Sequence, residues 1–364
     1  MKMKLFAAAV AALAAGGAYA QSSVTLYGVV DAGIEYNNNA GPNGDNLFRM
    51  QSGGQSGSRW GLRGVEDLGG GLKGLFVLES GFDIDTGRSG QDNRLFGRAA
   101  YVGLQNQFGT LTLGRQQTVM YDFGLQFDPM AIAPRYSITS IAPEFQSRAD
   151  NTVKYVGKFG GLTASAMYSF RNEGQEEAGA FRRGQEYGAL LSYAAGPFAV
   201  GAAYDETHGT TVAVPGAPAG TVVDASGRRI RRATVAGSYA FGPAKAFVGY
   251  RWAKAADGAV LPGAPSVDNS TSNLYWAGLA YQLTPAFSVT GAAYYQDFRR
   301  TGADPWQFAL TGDYALSKRT DIYASVSYAL NKDGSQLGVA GYGPANVQAD
   351  KDQIGAIVGV RHKF

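Results

Sequence analysis

The chain has 364 residues, with 32 basic and 29 acidic side chains and a formal net charge of +3. This near balance, without a basic stripe that includes aromatic residues, argues against nucleic-acid binding. The absence of cysteine excludes disulfides, thiolate metal sites and cysteine nucleophiles. The two histidines, His208 and His362, have no evident serine and acid partners, so no catalysis is expected. We likewise expect no cofactor and no metal, because no twelve-residue calcium-loop pattern is present.

The first twenty residues have the pattern of a secretory signal peptide. Two lysines precede an apolar run over residues 5–13, and small residues follow up to Ala20. Residues 1–20 are therefore predicted to be removed, and residues 21–364 to form the mature domain. Without those two lysines, 30 basic residues remain against 29 acidic ones, a net charge near +1.

From residue 21 onward, segments of alternating apolar and polar residues are separated by connections that are in turn short and long. Seven connections are short and turn-like, and all but the last contain Gly, Pro, Asn or Asp: 67–72, 106–110, 158–162, 195–198, 242–245, 284–287 and 317–320. Eight are longer polar loops: 37–56, 83–93, 117–149, 171–185, 206–230, 253–272, 297–305 and 331–351. Fifteen connections predict an all-β fold, a 16-stranded antiparallel up-and-down transmembrane β-barrel with both termini at one rim.

The alternation within the strands indicates that one face of the barrel contacts lipid. In the last strand, Ile354 and Val358 face one way while Gln353 and Arg361 face the other. About ten residues with this period are long enough to cross the hydrocarbon layer at a tilt. The strand ends at Phe364, a pattern similar to the signal read by the outer-membrane insertion machinery.

Strand parity also predicts which charged residues line the lumen. It assigns four apolar residues to the lipid face: Trp60, Leu62, Leu95 and Tyr101. It assigns seven cations to the lumen: Arg59, Arg63, Arg94, Arg98, Arg251, Arg361 and Lys363. It assigns four acids to the lumen: Asp31, Glu35, Glu79 and Asp313. A surplus of fixed positive charge concentrates anions in a channel, so a mild anion preference is expected unless loop acids cancel it.

Six segments along the mature chain are distinctive in sequence and in order. They are 23–31 (SVTLYGVVD), 58–68 (SRWGLRGVEDL), 99–104 (AAYVGL), 108–116 (FGTLTLGRQ), 317–323 (SKRTDIY) and 360–364 (VRHKF). Together they resemble the general diffusion porins of Gram-negative outer membranes, in the form typical of β-proteobacteria. The resemblance implies homotrimers, passive diffusion of small hydrophilic solutes across the outer membrane, and a third loop that folds inward as a constriction.

The longest loop, 117–149, is the expected constriction. Its apolar stretch from Phe127 to Pro134 is expected to pack inside the wall rather than contact water. Arg115 is left out of the candidate cluster, because Gly114 indicates a bulge that could redirect it. The candidate cations are Arg59, Arg63, Arg94, Arg98 and Arg148, some at positions where the family has constriction arginines. The candidate opposing acids are Asp122, Asp128 and Glu144, with Asp150 beside them.

Two alternative functions remain open at the level of sequence. A substrate-specific channel for small organic anions would need a saturable site, to which the loop aromatic residues could contribute: Tyr121, Phe123, Phe127 and Tyr136. A barrel with an adhesive or structural role would need an occluded lumen. Outer-membrane lipid is an expected partner, and lipopolysaccharide phosphates could contact the basic run at 228–232, although simple solvation also explains it.

Overall fold

The computed structural model describes residues 23–213, 222–266 and 268–364. The predicted signal peptide lies outside these ranges. The strands are β1 (Ser23–Ala40), β2 (Asp45–Ser52), β3 (Arg59–Gly69), β4 (Leu72–Gly81), β5 (Ala99–Asn106), β6 (Gly109–Gln117), β7 (Arg148–Phe159), β8 (Leu162–Ser169), β9 (Glu186–Ala195), β10 (Phe198–His208), β11 (Thr211–Ala213), β12 (Val222–Asp224), β13 (Arg229–Phe241), β14 (Ala244–Ala256), β15 (Thr271–Gln282), β16 (Phe287–Phe298), β17 (Trp306–Ala315), β18 (Thr320–Leu330), β19 (Leu337–Gly338), β20 (Gly341–Tyr342) and β21 (Gln353–Lys363).

Seventeen of these strands form one closed antiparallel sheet. It closes because β1 pairs with β21, from Val29 opposite Lys363 to Asn37 opposite Gly355, as well as with β2 and β3. β2 and β3 are two parts of one wall strand interrupted at residues 53–58, so the barrel has the predicted sixteen strands. The pairs β11–β12 and β19–β20 are small hairpins in outer loops.

The first outer connection is shorter than the sequence suggested. The prediction of a loop over residues 37–56 is wrong, because β1 continues to Ala40 and β2 begins at Asp45. The turn between them has Gly41 and Gly44 at φ values of 70° and 73°, a conformation that glycine adopts without steric cost. Asparagine-rich sequence therefore extends the hairpin beyond the apolar band instead of forming a loop.

The predicted lipid and lumen faces are confirmed in the last two strands of the barrel. Val326 and Val358 are exposed on the outside, whereas Tyr323 and Ser325 are buried on the inside. The assignment of Tyr101 to the lipid face is wrong: Val102 and Leu104 are exposed, and Tyr101 lies on the lumen side opposite Gly114.

The error at Tyr101 has a structural cause. β5 begins only at Ala99, so the period of two does not apply across Arg94 and Arg98, which precede it. The bulge expected at Gly114 is present: the register with β7 shifts between Gly114 and Gln116, and Gly114 has φ 129°.

The third outer loop, here called L3 (residues 118–147), folds into the barrel. It contains helix α1 (Val119–Phe127), helix α2 (Ile138–Ile141) and a 3₁₀ turn (Pro143–Gln146). Thr118 caps α1 by accepting a hydrogen bond from the Tyr121 amide at 3.3 Å, and Ser137 caps α2. No helix in the described ranges is long and apolar enough to span a membrane.

L3 carries the hydrophobic core of the lumen. Its fully buried apolar side chains include Val119, Met120, Phe123, Phe127, Ile138, Ile141 and Phe145. They pack on wall residues Leu190, Ala203, Leu274, Trp276 and Tyr294. Each Å² of apolar surface removed from water contributes about 25 cal/mol, so the burial of these side chains favours the inward position of the loop. The inward fold of the longest loop is therefore as predicted.

Candidate pore constriction

Two cavities inside the barrel meet where L3 faces the opposite wall. One has a volume of about 310 Å³, and its lining includes Gln51 and Asp83. The other, of about 230 Å³, is lined by Tyr121, Leu125 and Arg361. Both are lined by the same five residues: Gly57, Arg98, Pro134, Gln146 and Arg148. These five residues mark the level of the candidate constriction.

Three of the predicted arginines come together at this level. Arg98 Nε lies 2.7 Å from Glu79 Oε1, and Arg59 Nε lies 3.8 Å from Glu79 Oε2. Arg148 joins them from the start of β7. One carboxylate between two guanidinium groups leaves a net positive charge, because each arginine stays ionised at neutral pH.

Arg148 is the least compensated of the three. Its guanidinium carbon lies 5.1 Å from the centroid of the Tyr121 ring, a cation–π contact, and Nη1 donates to the Gln146 carbonyl at 3.2 Å. Within the described ranges it has no ion-pair partner. Its charge is therefore available to solutes in both cavities.

Arg63 and Arg94 are placed differently. Arg63 lies on the lumen face, with its guanidinium 5.6 Å from the Tyr27 ring centroid, away from the five shared residues. Arg94 donates to both oxygens of Asp150 at 2.8 Å, and Arg115 binds the same carboxylate at 2.7 Å. The structure therefore corrects the parity argument for Arg94, which lies outside any strand and is paired away from the constriction.

The three predicted opposing acids of L3 do not pair with these arginines. Asp122 binds Lys154 at 2.6 Å, on the wall beneath the loop. Glu144 pairs with Arg251 at 2.9 Å, and the two side chains are only 4% and 3% exposed. Asp128 is 3% exposed and does not present its charge to the lumen. For Asp128 and Glu144 the expectation of lumen-facing acids is wrong, because both anchor the loop.

Asp128 is held inside the loop by hydrogen bonds. Tyr294 Oη donates to Oδ1 at 2.6 Å and the Ile132 amide donates to Oδ2 at 2.7 Å. Burial nevertheless raises the pKa of Asp128 from 3.8 to about 6, since the hydrogen bonds that favour the ionised form offset only part of the desolvation.

A second anchor joins L3 to β1. Tyr136 Oη donates to Glu35 Oε1 at 3.1 Å, and Arg135 Nε lies 3.9 Å from the same oxygen. Burial and the neighbouring Glu35 carboxylate raise the pKa of the Tyr136 hydroxyl well above its usual range. The loop is thus fixed at both sides of the lumen.

Most of the loop aromatic residues proposed for a solute-binding path are not available to solutes. Phe123, Phe127 and Tyr136 are at most 1% exposed and pack in the core. Tyr121 does line the cavity of about 230 Å³. Among the residues that the structure describes, no cluster of three or more His, Asp or Glu side chains could hold a metal ion.

Sequence reasoning missed two features of the site. Lys154 was not counted among the lumen cations, although it shares the buried face of β7 with Thr152 and alternates with Val153 and Tyr155. The segment 53–58 lines both cavities, although the predicted outer loop included its residues 53–56. Parity along β7 could have found Lys154, whereas the glycine-rich segment gives no periodic signal.

Comparison with known proteins identifies the family. A family model described as Gram-negative porin matches residues 7–334. An outer membrane porin protein of Bordetella pertussis is 33% identical, and outer membrane porin protein 32 of Delftia acidovorans is 32% identical, each over 100% of both chains. The solved anion-selective porin from Comamonas acidovorans has 28% identity and a TM-score of 0.78, covering 94% of this chain and 100% of that one. The chain therefore belongs to the Gram-negative porin family and is an outer-membrane β-barrel that forms a porin channel.

Proposed function

We propose that this porin is a general diffusion channel for small hydrophilic solutes, with a constriction that favours anions over cations. The observation that carries the proposal is that the acids of L3 are paired away from the passage, whereas the arginines facing L3 are only partly paired. The loop acids are bound to Lys154, Arg251 and the hydroxyl of Tyr294. On the other side of the lumen, Arg59 and Arg98 share one carboxylate, Glu79, and Arg148 has no ion-pair partner within the described ranges.

The electrostatic consequence follows from the low-dielectric wall of the barrel. Uncompensated guanidinium groups raise the local concentration of anions and repel cations. Their planar donors also suit carboxylate and phosphate oxygens. The described selectivity of the Comamonas acidovorans porin supports the same assignment for this chain.

Replacing Arg148 with Gln tests the proposal without leaving a carboxylate unpaired. We expect the reversal potential in a planar bilayer, under a KCl gradient, to move toward the cation side. The matched control is Arg300→Gln, which removes the same charge from an exposed outer loop and should leave the potential unchanged. Equal potentials for wild type and Arg148→Gln would remove Arg148 from the selectivity mechanism.

We also propose that the channel is a homotrimer that contacts its neighbours through the lipid face of β1, β3, β4 and β5. A groove of about 240 Å³ there is lined by Val24, Gly64, Gly74, Phe76 and Val102. Small residues in it allow close approach of a second copy. A solved fold neighbour, OmpT of Vibrio cholerae, is described in a trimer form.

Gly74→Trp tests this assembly, because a large ring would fill the groove while remaining compatible with lipid. We expect the molar mass of the detergent-solubilised protein, measured by light scattering, to fall from three copies to one. Ala202→Trp, at an exposed position of β10 on the opposite side of the barrel, is the control that should stay trimeric. A trimeric Gly74→Trp protein would place the interface elsewhere.

The carboxyl-terminal residue remains a proposed insertion signal. Phe364 exchanges two backbone hydrogen bonds with Gly28, each of 3.0 Å, and its ring packs against that glycine. It thus completes the seam between the first and last strands. Recognition by the insertion machinery stays a prediction from the sequence pattern, as does contact with lipopolysaccharide.

A further inference from the structure

The segment 53–58 is an insertion in the barrel wall that projects into the lumen. Ser52 pairs with Ala32 and Arg59 pairs with Val29, so six residues of one strand face only two of the other. The extra residues cannot remain in the ladder and loop out of it. They loop inward, since Gln55 Nε2 donates to Ser325 Oγ, on the lumen face of β18, at 2.9 Å.

The carboxylate of Asp31 organises this segment. Oδ1 accepts from the Gly54 amide at 3.3 Å, and Oδ2 accepts from the amides of Gln55 and Ser56 at 2.9 and 2.6 Å. Tyr323 Oη adds a fourth hydrogen bond to Oδ1 at 2.6 Å. Asp31 is completely buried. Four donors around one buried carboxylate fix the segment's backbone relative to β1 and β18.

The segment in turn contacts the pore arginines. The Gly57 carbonyl accepts from Arg59 Nη1 at 3.0 Å, and Ser56 Oγ accepts from Arg361 Nη1 at 3.0 Å. Gly57 is packed so closely on Arg98 that a Cβ at this position would lie 3.1 Å from Nη1. Gly57 also lines both cavities at the constriction.

We propose that residues 53–58, held by Asp31, form the second wall of the constriction opposite L3 and set the positions of Arg59 and Arg361. L3 then supplies one side of the narrow passage and the Asp31-bound segment supplies the other. Asp31 is a positioning residue, because it touches no solute itself. The inference rests on the proposed channel function but not on the sign of its selectivity.

Cysteine labelling tests the wall directly, because the natural chain has no cysteine. In Ser56→Cys, an anionic methanethiosulfonate reagent should label the thiol and lower the single-channel conductance. The control is Ser317→Cys, an exposed serine in a short connection between β17 and β18, where labelling should not change conductance. Complete labelling of Ser56→Cys, confirmed by mass spectrometry, with unchanged conductance would overturn the proposal, and so would failure to label.

The positioning role of Asp31 requires a second set of variants. Tyr323→Phe removes one hydrogen bond from the carboxylate without changing any charge, and should increase the fluctuations of the open-channel current. Asp31→Asn should do so more strongly and also reduce ion selectivity. Asp333→Asn removes the same charge from an exposed outer loop and leaves the segment and its arginines in place, so it should keep a steady current. Folding of each variant is checked from the difference in gel mobility between unheated and heated samples. Steady currents in folded barrels of both Tyr323→Phe and Asp31→Asn would contradict the positioning role of Asp31.

These results separate the two proposals. A wild-type channel without anion preference would contradict the proposed function, whatever the cysteine results. Loss of conductance on labelling Ser56→Cys supports the second wall, whichever ion the channel prefers.

Discussion

The two halves of the inner wall use their charged residues in different ways. On the half formed by β8–β16, L3 covers the wall, and charges such as Arg251 are buried in pairs with loop acids. On the half formed by β1–β5 and β21, Arg59 and Arg98 face the cavities and share Glu79. The comparison indicates that a lumen charge is left available to solutes only where it is not paired with an acid of L3.

On the covered half, the position of L3 is fixed by aromatic packing as well as by ion pairs. The Trp276 ring lies edge-on to Phe123 and Phe145, at centroid distances of 6.4 and 5.9 Å, and its Nε1 donates to the Phe127 carbonyl at 3.0 Å. Aromatic pairs of this geometry contribute about 0.5–1.5 kcal/mol beyond the buried area. The loop therefore has a fixed position from which its other face can define the passage.

The largest effect is expected from breaking the ion pair between L3 and the covered wall. Glu144→Gln leaves Arg251 buried and unpaired, which typically costs about 3–5 kcal/mol. We expect the barrel to unfold at a lower temperature, measured as the temperature at which the folded band is lost on a gel. We also expect unsteady single-channel currents, because the loop is held less firmly.

Two further variants make this test specific. Glu173→Gln, at an exposed outer-loop acid, should behave as wild type. The double variant Glu144→Gln with Arg251→Met should recover much of the lost stability, because neither charge is then buried alone. A Glu144→Gln protein as stable and as steady as wild type would mean that the pair does not anchor L3.

An intermediate effect concerns pH and Asp128. Because its pKa is raised from 3.8 to about 6, the folded protein binds more protons than the unfolded chain between these values. The contribution of Asp128 to the free energy of unfolding should therefore fall as pH rises through this interval, by roughly 3 kcal/mol.

Asp128→Asn should remove this contribution and flatten the pH dependence of stability, since no proton is then gained or lost at that position. The measurement is the unfolding temperature between pH 4 and pH 7 for the variant and the wild type. Asp333→Asn, at an exposed loop acid, should retain the wild-type dependence. The same pH dependence in Asp128→Asn as in wild type would show that another group is responsible.

The sequence predicted the barrel well because every wall strand repeats the same alternation between lipid and lumen. It failed where that periodicity stops. Arg94 and Tyr101 were misassigned because parity was carried across the start of β5. The partners of Asp128 and Glu144 were not predictable, since Tyr294 and Arg251 are far away in the chain and meet the loop only after it folds inward.

The smallest effect is expected at Asp122, which is 29% exposed and paired with Lys154. Asp122→Asn would release one positive charge near the lumen and shift the reversal potential further toward anions. Because a partly exposed charge is screened by salt, the shift should be smaller than the opposite shift caused by Arg148→Gln. A shift toward cations would indicate that Lys154 does not act on the permeating ions.

The most direct test of the uncompensated arginine wall is the reversal potential of the wild-type channel in a planar bilayer under a KCl gradient. The structure predicts the sign that corresponds to chloride preference. The preference should weaken between 0.01 M and 1 M salt, as the Debye length falls from about 30 Å to about 3 Å. A potential of cation-selective sign at low salt would contradict the account.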